Sequence, residues 1–157
     1  MTEFTVKPVS ASDAQDISRW RYGPGYAMYD MADEDVPMLL APAFGYFSVR
    51  RDGDLVGYAC FGQDAQIYGG PYHVSALDIG CGMRPDLCGQ GGGLAFFQAI
   101  IDFAVQHYRP ALLRLTVAAA NQRAMAVYRR AGFIEKRRFA GMTRSGIHSF
   151  WVMTKAV

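Results

Sequence analysis

Paired cysteines are missing from this sequence. Cys60, Cys81 and Cys88 show no CxxC spacing and no paired histidines beside them, which excludes a disulfide framework and a zinc site and leaves three reduced, mostly buried thiols. Charge of one sign is also scarce. The net charge is +2, too small for a dedicated nucleic-acid surface, though a local basic patch remains open. No apolar run approaches a membrane span. The start, MTEFTVKPVSASD, lacks a charged-then-apolar leader, so a cytoplasmic protein without a membrane partner is expected. Repeats and low-complexity tracts are absent as well. What remains is an ordinary globular composition, 51% hydrophobic and 19% charged over 157 residues, which suits one domain, 1–157, with a sizeable core.

The local patterns then read as follows. FTVKPV, 4–9, is a first strand, and Ser10 with Asp13 fits a capping box on a short helix reaching Trp20. WRYGPGYAMYD, 20–30, is a loop or broken helix. Two strands flank the turn Asp52-Gly53 within 44–62. VSALDIGCGMR, 74–84, is a strand carrying Gly80 and Gly82. From Gly91 to His107 the apolar residues Leu94, Phe97, Ile100, Ile101, Ala104 and Val105 recur at helical spacing. ALLRLTVA, 111–118, is a strand; Asn121 caps a helix to about Ala131, and Gly132 with Phe133 ends it. Strands near 134–140 and 147–155 close the chain. This order predicts a mixed α/β sheet with helices packed on it.

One segment departs from thrift. Gly89-Gln90-Gly91-Gly92-Gly93 is expensive in conformational entropy and leads directly into a helix. The first turn of a helix holds unpaired N–H groups at the positive end of its dipole. Bare glycine backbone lets phosphate oxygens reach them. The loop lacks the Lys and Ser/Thr of a Walker motif, and it fails the last glycine of the dinucleotide fingerprint. A flexible helix entry without ligand remains the alternative on the loop alone.

The run MRPDLCGQGGG, the helix after it, and LRLTVAAANQRAMAVYRRAGF resemble the GNAT family of acetyl-CoA-dependent N-acetyltransferases. In that family the fourth strand ends near a proline, and an Arg/Gln-x-x-Gly-x-Gly/Ala loop enters a helix. An Asn-x-x-Ala helix follows the fifth strand and ends in Tyr-x-x-x-Gly-Phe. Pro85, Gly91, Gly93, Asn121, Ala124, Tyr128, Gly132 and Phe133 stand at the matching places, whereas Cys88 stands where the family usually has Arg or Gln. The resemblance implies a mostly antiparallel sheet with splayed fourth and fifth strands and flanking helices. It implies acetyl-CoA as cosubstrate, with its pyrophosphate on the amides of Gly89, Gln90, Gly91, Gly92 and Gly93 beside Cys88. It places the pantetheine arm near Met83, Asn121, Ala124 and Tyr128. Gly80 and Gly82 would let that arm lie close to the strand, or mark a β-bulge.

The same resemblance implies three catalytic places. The Met83 N–H would face the oxyanion, and Tyr128 would protonate the leaving thiolate. Asp78, an acid within an apolar strand, would be the base acting through water, or else a structural acid with a partner. His73 and His148 are alternative bases. An acetyl-cysteine route through Cys81 or Cys88 lacks a neighbouring histidine. Trp20, Tyr22, Tyr26 and Tyr29, followed by Asp30, Asp33, Glu34 and Asp35, would either suit a cationic amine acceptor or belong to a loop that packs its rings on the sheet. Arg129, Arg130, Lys136, Arg137 and Arg138 either favour the cofactor's 3′-phosphate or form a solvated face. The expected function is acetyl transfer to a primary amine of a small molecule or peptide, by a monomer or homodimer without metal. A non-catalytic coenzyme A sensor and another nucleotide-binding module are the alternatives.

Overall fold

Asp52 and Gly53 both have left-handed backbone, φ 49° and 89°, as the tight hairpin turn requires. That turn joins the second and third strands of a seven-stranded sheet in this computed structural model, which describes residues 2–157. The strands are β1 Phe4–Pro8, β2 Tyr46–Arg51, β3 Asp54–Phe61, β4 Leu77–Met83, β5 Leu112–Ala118, β6 Ile134–Thr143 and β7 Gly146–Ala156. They lie side by side as β1-β2-β3-β4-β5-β7-β6. Every neighbour is antiparallel except β4 and β5, which run parallel.

Helices α1 (Ala11–Arg19), α2 (Val36–Leu40), α3 (Gly93–Tyr108) and α4 (Gln122–Arg130) cover the sheet. Strand residues alternate between two faces, and two apolar clusters result. Val9, Ala14, Ile17, Leu39, Tyr46, Tyr58 and Cys60 pack together beneath α1 and α2. Phe96, Phe97, Ile100, Ile101, Ala104 and Met125 from α3 and α4 pack against Val49, Val56, Leu113, Leu115 and Met153.

The pairing of β4 with β5 positions everything that follows. It covers Leu77–Ile79 against Leu113–Leu115 and then stops. Gly80–Met83 and Thr116–Ala118 diverge, so the expected splay is present. A mixed sheet has opened a slot through itself, with unpaired strand edges on its sides.

One stretch left without an expected element gains two, and one local reading changes. The stretch 31–43 carries no strong period, yet it holds a 3-10 turn at Asp33–Asp35 and α2. Pro37 sits in the first turn of α2, where its missing N–H is harmless, and five residues are too few for periodicity to show. The capping box at Ser10 is half formed. Ser10 Oγ accepts from the Asp13 N–H at 3.2 Å. The Asp13 carboxylate instead takes Arg50 at 2.7 Å through both oxygens and Ser48 at 2.8 Å, because a forked charged pair outcompetes a single cap bond. The close of α4 is as expected: Phe133 N–H donates to Tyr128 O and Gly132 N–H, at φ 100°, to Arg129 O, a Schellman ending.

Candidate active site

Successive residues of a strand aim their amide groups at opposite edges. Asp78 O of β4 accepts from Gly62 N at 3.0 Å, and the N–H of Arg84, just past the strand, donates to Val56 O at 2.8 Å, so both face β3. Cys81 and Met83, one step out of phase, face the open slot. Met83 O accepts from Tyr22 Oη there at 2.9 Å, and its N–H looks the same way. The slot widens into a cleft of about 570 Å³. Residues from both sheet faces line it: Tyr22, Tyr26, Tyr29, Tyr46 and Tyr58 on one side, Asn121, Ala124, Val127 and Tyr128 on the other.

The glycine loop borders this cleft. Cys88 N is bonded to Pro85 O and Phe96 N to Gly92 O. Between them, the main-chain N–H groups of Gly89 to Ala95 make no hydrogen bond among the described residues. Gly89 and Gly91 are left-handed, φ 74° and 85°, and a Cβ on Gly91 would project into open space. The Arg123 guanidinium lies 3.3 Å from where a Gly89 Cβ would be, and that of Arg51 lies 3.7 Å from the Gly92 Cβ position. Free donors, a helix N-terminus and two guanidiniums form a cradle that fits a pyrophosphate. Cys88, Gly89, Gly91 and Gly93 line the cleft itself, whereas Gln90 and Gly92 stand at its rim. Arg51 and Arg123 escaped the sequence reading. Arg123, two residues past the cap Asn121, carried a weak signal; Arg51, at the far end of a hairpin, carried none. Of the basic group after Tyr128, Arg130 lines the cleft. Arg129 pairs with Glu135 at 3.0 Å, and Arg138 lies over the Trp151 ring at 6.0 Å.

Tyr128 is half-buried, lines the cleft and packs on Phe97 at 4.7 Å. Its hydroxyl stands 3.7 Å from Cys81 Sγ. Burial pushes its pKa well above the ordinary phenol value. Asn121 Oδ1 caps α4 by accepting from the Ala124 N–H at 3.2 Å, and its Nδ2 donates to Tyr29 Oη at 3.3 Å. Asn121 therefore serves as a cap and still presents its amide to the cleft.

The structure corrects several expectations. Asp78 does not line the cleft. Both its oxygens are held by Arg114, at 2.6 and 2.8 Å, and Gln66 adds a bond at 2.9 Å. Asp78 and Arg114 side chains are each 5% exposed, so this carboxylate is a paired structural acid and not a free base. Trp20 lies outside the cleft, stacked behind Tyr58 with ring centroids 6.3 Å apart, whereas Tyr22, Tyr26 and Tyr29 line it. Gly80 and Gly82 are explained by packing: a Cβ would meet Cys60 Sγ at 2.8 Å and the Tyr58 ring at 2.4 Å, and β3 pairs with β4 there in unbroken register, without a bulge. His148 bonds Ser145 at 2.9 Å on β7, and neither it nor His73 reaches the cleft. Burial pushes the Cys81 thiol up to about 11 and raises Cys88 as well, so neither is poised as a thiolate. The carboxylate that does line the cleft is Asp64, which accepts from Tyr46 Oη at 2.5 Å. No motif pointed to it. Among the described residues, no group of three or more His, Cys, Asp or Glu could hold a metal ion, and no helix is long and apolar enough to cross a membrane.

Known proteins resemble this chain in sequence or in fold. The mycothiol acetyltransferase of Streptomyces coelicolor is 34% identical over 108 residues, 67% of this chain. The chain spans 31% of that relative's length. An acetyltransferase of the GNAT family from Bacillus anthracis has the same fold, with a TM-score of 0.75 at 14% identity over 99% of this chain and 96% of that one. Mutant forms of the spermidine/spermine N-acetyltransferase SpeG from Vibrio cholerae give 0.71 at 15% identity over 98% and 95%. The sequence pattern of the acetyltransferase (GNAT) family matches residues 12–133, which include the splayed strands, the glycine cradle and all of α4. The chain belongs to the GNAT family of acetyltransferases.

Proposed function

We propose that this protein, as one acyltransferase domain over 1–157, moves an acetyl group from acetyl-CoA to a primary amine by direct transfer. The observation that carries the reading is the row of unpaired amides from Gly89 to Ala95 opening onto the same cleft as the Tyr128 hydroxyl. Acetyl-CoA supplies a thioester as acyl donor. The cradle amides with Arg51 and Arg123 hold its pyrophosphate, and the open edge of β4 receives the amide-bearing arm. The Met83 N–H, turned to the slot, donates to the acyl oxygen as negative charge develops there. Tyr128 keeps its proton across neutral pH because burial disfavours the phenolate. The acceptor attacks as the neutral amine, the C–S bond breaks as Tyr128 donates to the departing sulfur, and the proton lost by the new amide nitrogen passes through water back to Tyr128. Tyr22 and Tyr29 of the aromatic loop wall the acceptor side, and the Tyr26 ring supports the Arg123 guanidinium at 4.9 Å.

The test has two stages. Acetyl-CoA should raise the melting temperature more than ATP or NAD does, as linkage requires of a ligand bound by the folded state. A panel of primary amines should then release free thiol from acetyl-CoA. Stabilisation by ATP or NAD but not by acetyl-CoA would end the reading; binding without transfer to any amine would leave a coenzyme A sensor.

A further inference from the structure

We propose that Asp64 anchors the acceptor, and that the acceptor is a cationic amine with no carboxylate beside its amino group. This rests on the N-acetyltransferase reading and narrows its substrate class. Charge in the cleft is segregated. Its lining cations, Arg123 and Arg130, both come from α4, and Arg51 stands by the glycine loop. Its lining carboxylate, Asp64, comes from the 3-10 turn Gln63–Ala65 after β3, on the face covered by α1 and α2. An anionic cofactor fits the first end, and a cation fits the second. Asp64 Oδ2 is oriented by the Tyr46 hydroxyl. Burial keeps that phenol protonated, far above its ordinary pKa, so it donates and the carboxylate accepts. Asp64 Oδ1 has no hydrogen-bond partner among the described residues. Tyr46 and Tyr58 add ring faces around the same end, tilted together at 6.1 Å, a wall that favours an organic cation.

An α-amino acid would bring its own carboxylate against Asp64. Arg144, which lies near Tyr46, is already held by Asp35 at 2.7 Å and faces Glu34 at 4.0 Å. Asp64 itself is exposed, so a carboxylate brought beside it meets a like charge screened in part by water, a repulsion that still selects against it.

The experiment uses matched pairs that differ by one carboxylate: phenethylamine and phenylalanine, tyramine and tyrosine, 1,4-diaminobutane and ornithine. Steady-state kcat/KM is measured for the wild type and for Asp64→Asn, with acetyl-CoA affinity measured separately by calorimetry. The wild type should favour the decarboxylated member of each pair it accepts by at least about tenfold, and Asp64→Asn should remove that preference mainly through KM, with acetyl-CoA binding unchanged, as expected for loss of one charge pair. Equal kcat/KM within the pairs, or a preference kept by Asp64→Asn, overturns the proposal and leaves acetyl transfer standing. Acetyl-CoA binding without acetylation of any amine overturns acetyl transfer and this proposal together. The wild-type preference is readable even if Asp64→Asn does not fold.

Discussion

Two side chains that a sequence reader treats alike, Tyr128 and Asp78, have separate fates. Tyr128 ends in the cleft, and its hydroxyl bonds weakly to Cys81. Tyr128→Phe keeps the ring on Phe97 and removes the donor. We expect kcat to fall at least about 30-fold, within the usual range for a general acid, with acetyl-CoA affinity nearly kept. Steady-state kinetics with the best amine, alongside calorimetry, would check it; near-parental turnover with chemistry rate-limiting would return Tyr128 to packing. Asp78→Asn addresses the opposite fate. It would leave the Arg114 guanidinium buried without a counter-charge, with one neutral amide oxygen, Val74 O and the Tyr72 ring beside it. Removing one partner of a buried pair costs about 3–5 kcal/mol, so the urea midpoint should drop sharply while kcat of the folded fraction changes little. A large kcat loss in a stable variant would restore Asp78 as the base.

At the scale of elements, the entry to α3 trades stability for an anion site. Gly91 has φ 85°, so any side chain there strains the backbone and confuses strain with ligand loss. Gly92 is the cleaner probe: its backbone, φ −90° and ψ 0°, suits any residue, and a Cβ would meet nothing closer than Arg51 at 3.7 Å. Gly92→Asp puts a carboxylate at a helix N-terminus, which should hold or raise the melting temperature. The same charge competes for the free amides and for Arg51. Acetyl-CoA binding should weaken more than tenfold, about 1.4 kcal/mol or more. Calorimetry and thermal melts would together show it, and unchanged affinity would remove the cradle from the cofactor site. The splay of β4 from β5 was legible only through a resemblance. The four α-helical and seven strand segments were otherwise largely readable from period and turn chemistry, α2 excepted, because five residues carry no period.

Across the whole molecule, acids that lose water on folding set an alkaline limit. Burial pushes Cys60 up to about 12 and Cys81 up to about 11, and raises Tyr22, Tyr46, Tyr58 and Tyr128 as well. In the unfolded chain these groups release protons first, near about 8.5 for Cys and about 10 for Tyr. Their raised folded values therefore contribute stability that is complete below those unfolded values and is lost as pH rises past them. Urea midpoints should hold between about pH 7 and 8 and fall steadily above about pH 9; a flat profile to about pH 11 would contradict these burials. The sequence by itself determined the local elements and the glycine cradle, since turns, caps and bare amides are properties of neighbouring residues. It also placed Asn121 and Tyr128 on one face of one helix, because helical spacing is local. Only the tertiary structure decided that Asp78 belongs to Arg114, that Trp20 stands behind Tyr58, and that Arg51, Arg123 and Asp64 surround one cleft. Those assignments depend on which strand lies beside which and on where two strands part, and contacts between residues distant along the chain leave no period in the sequence.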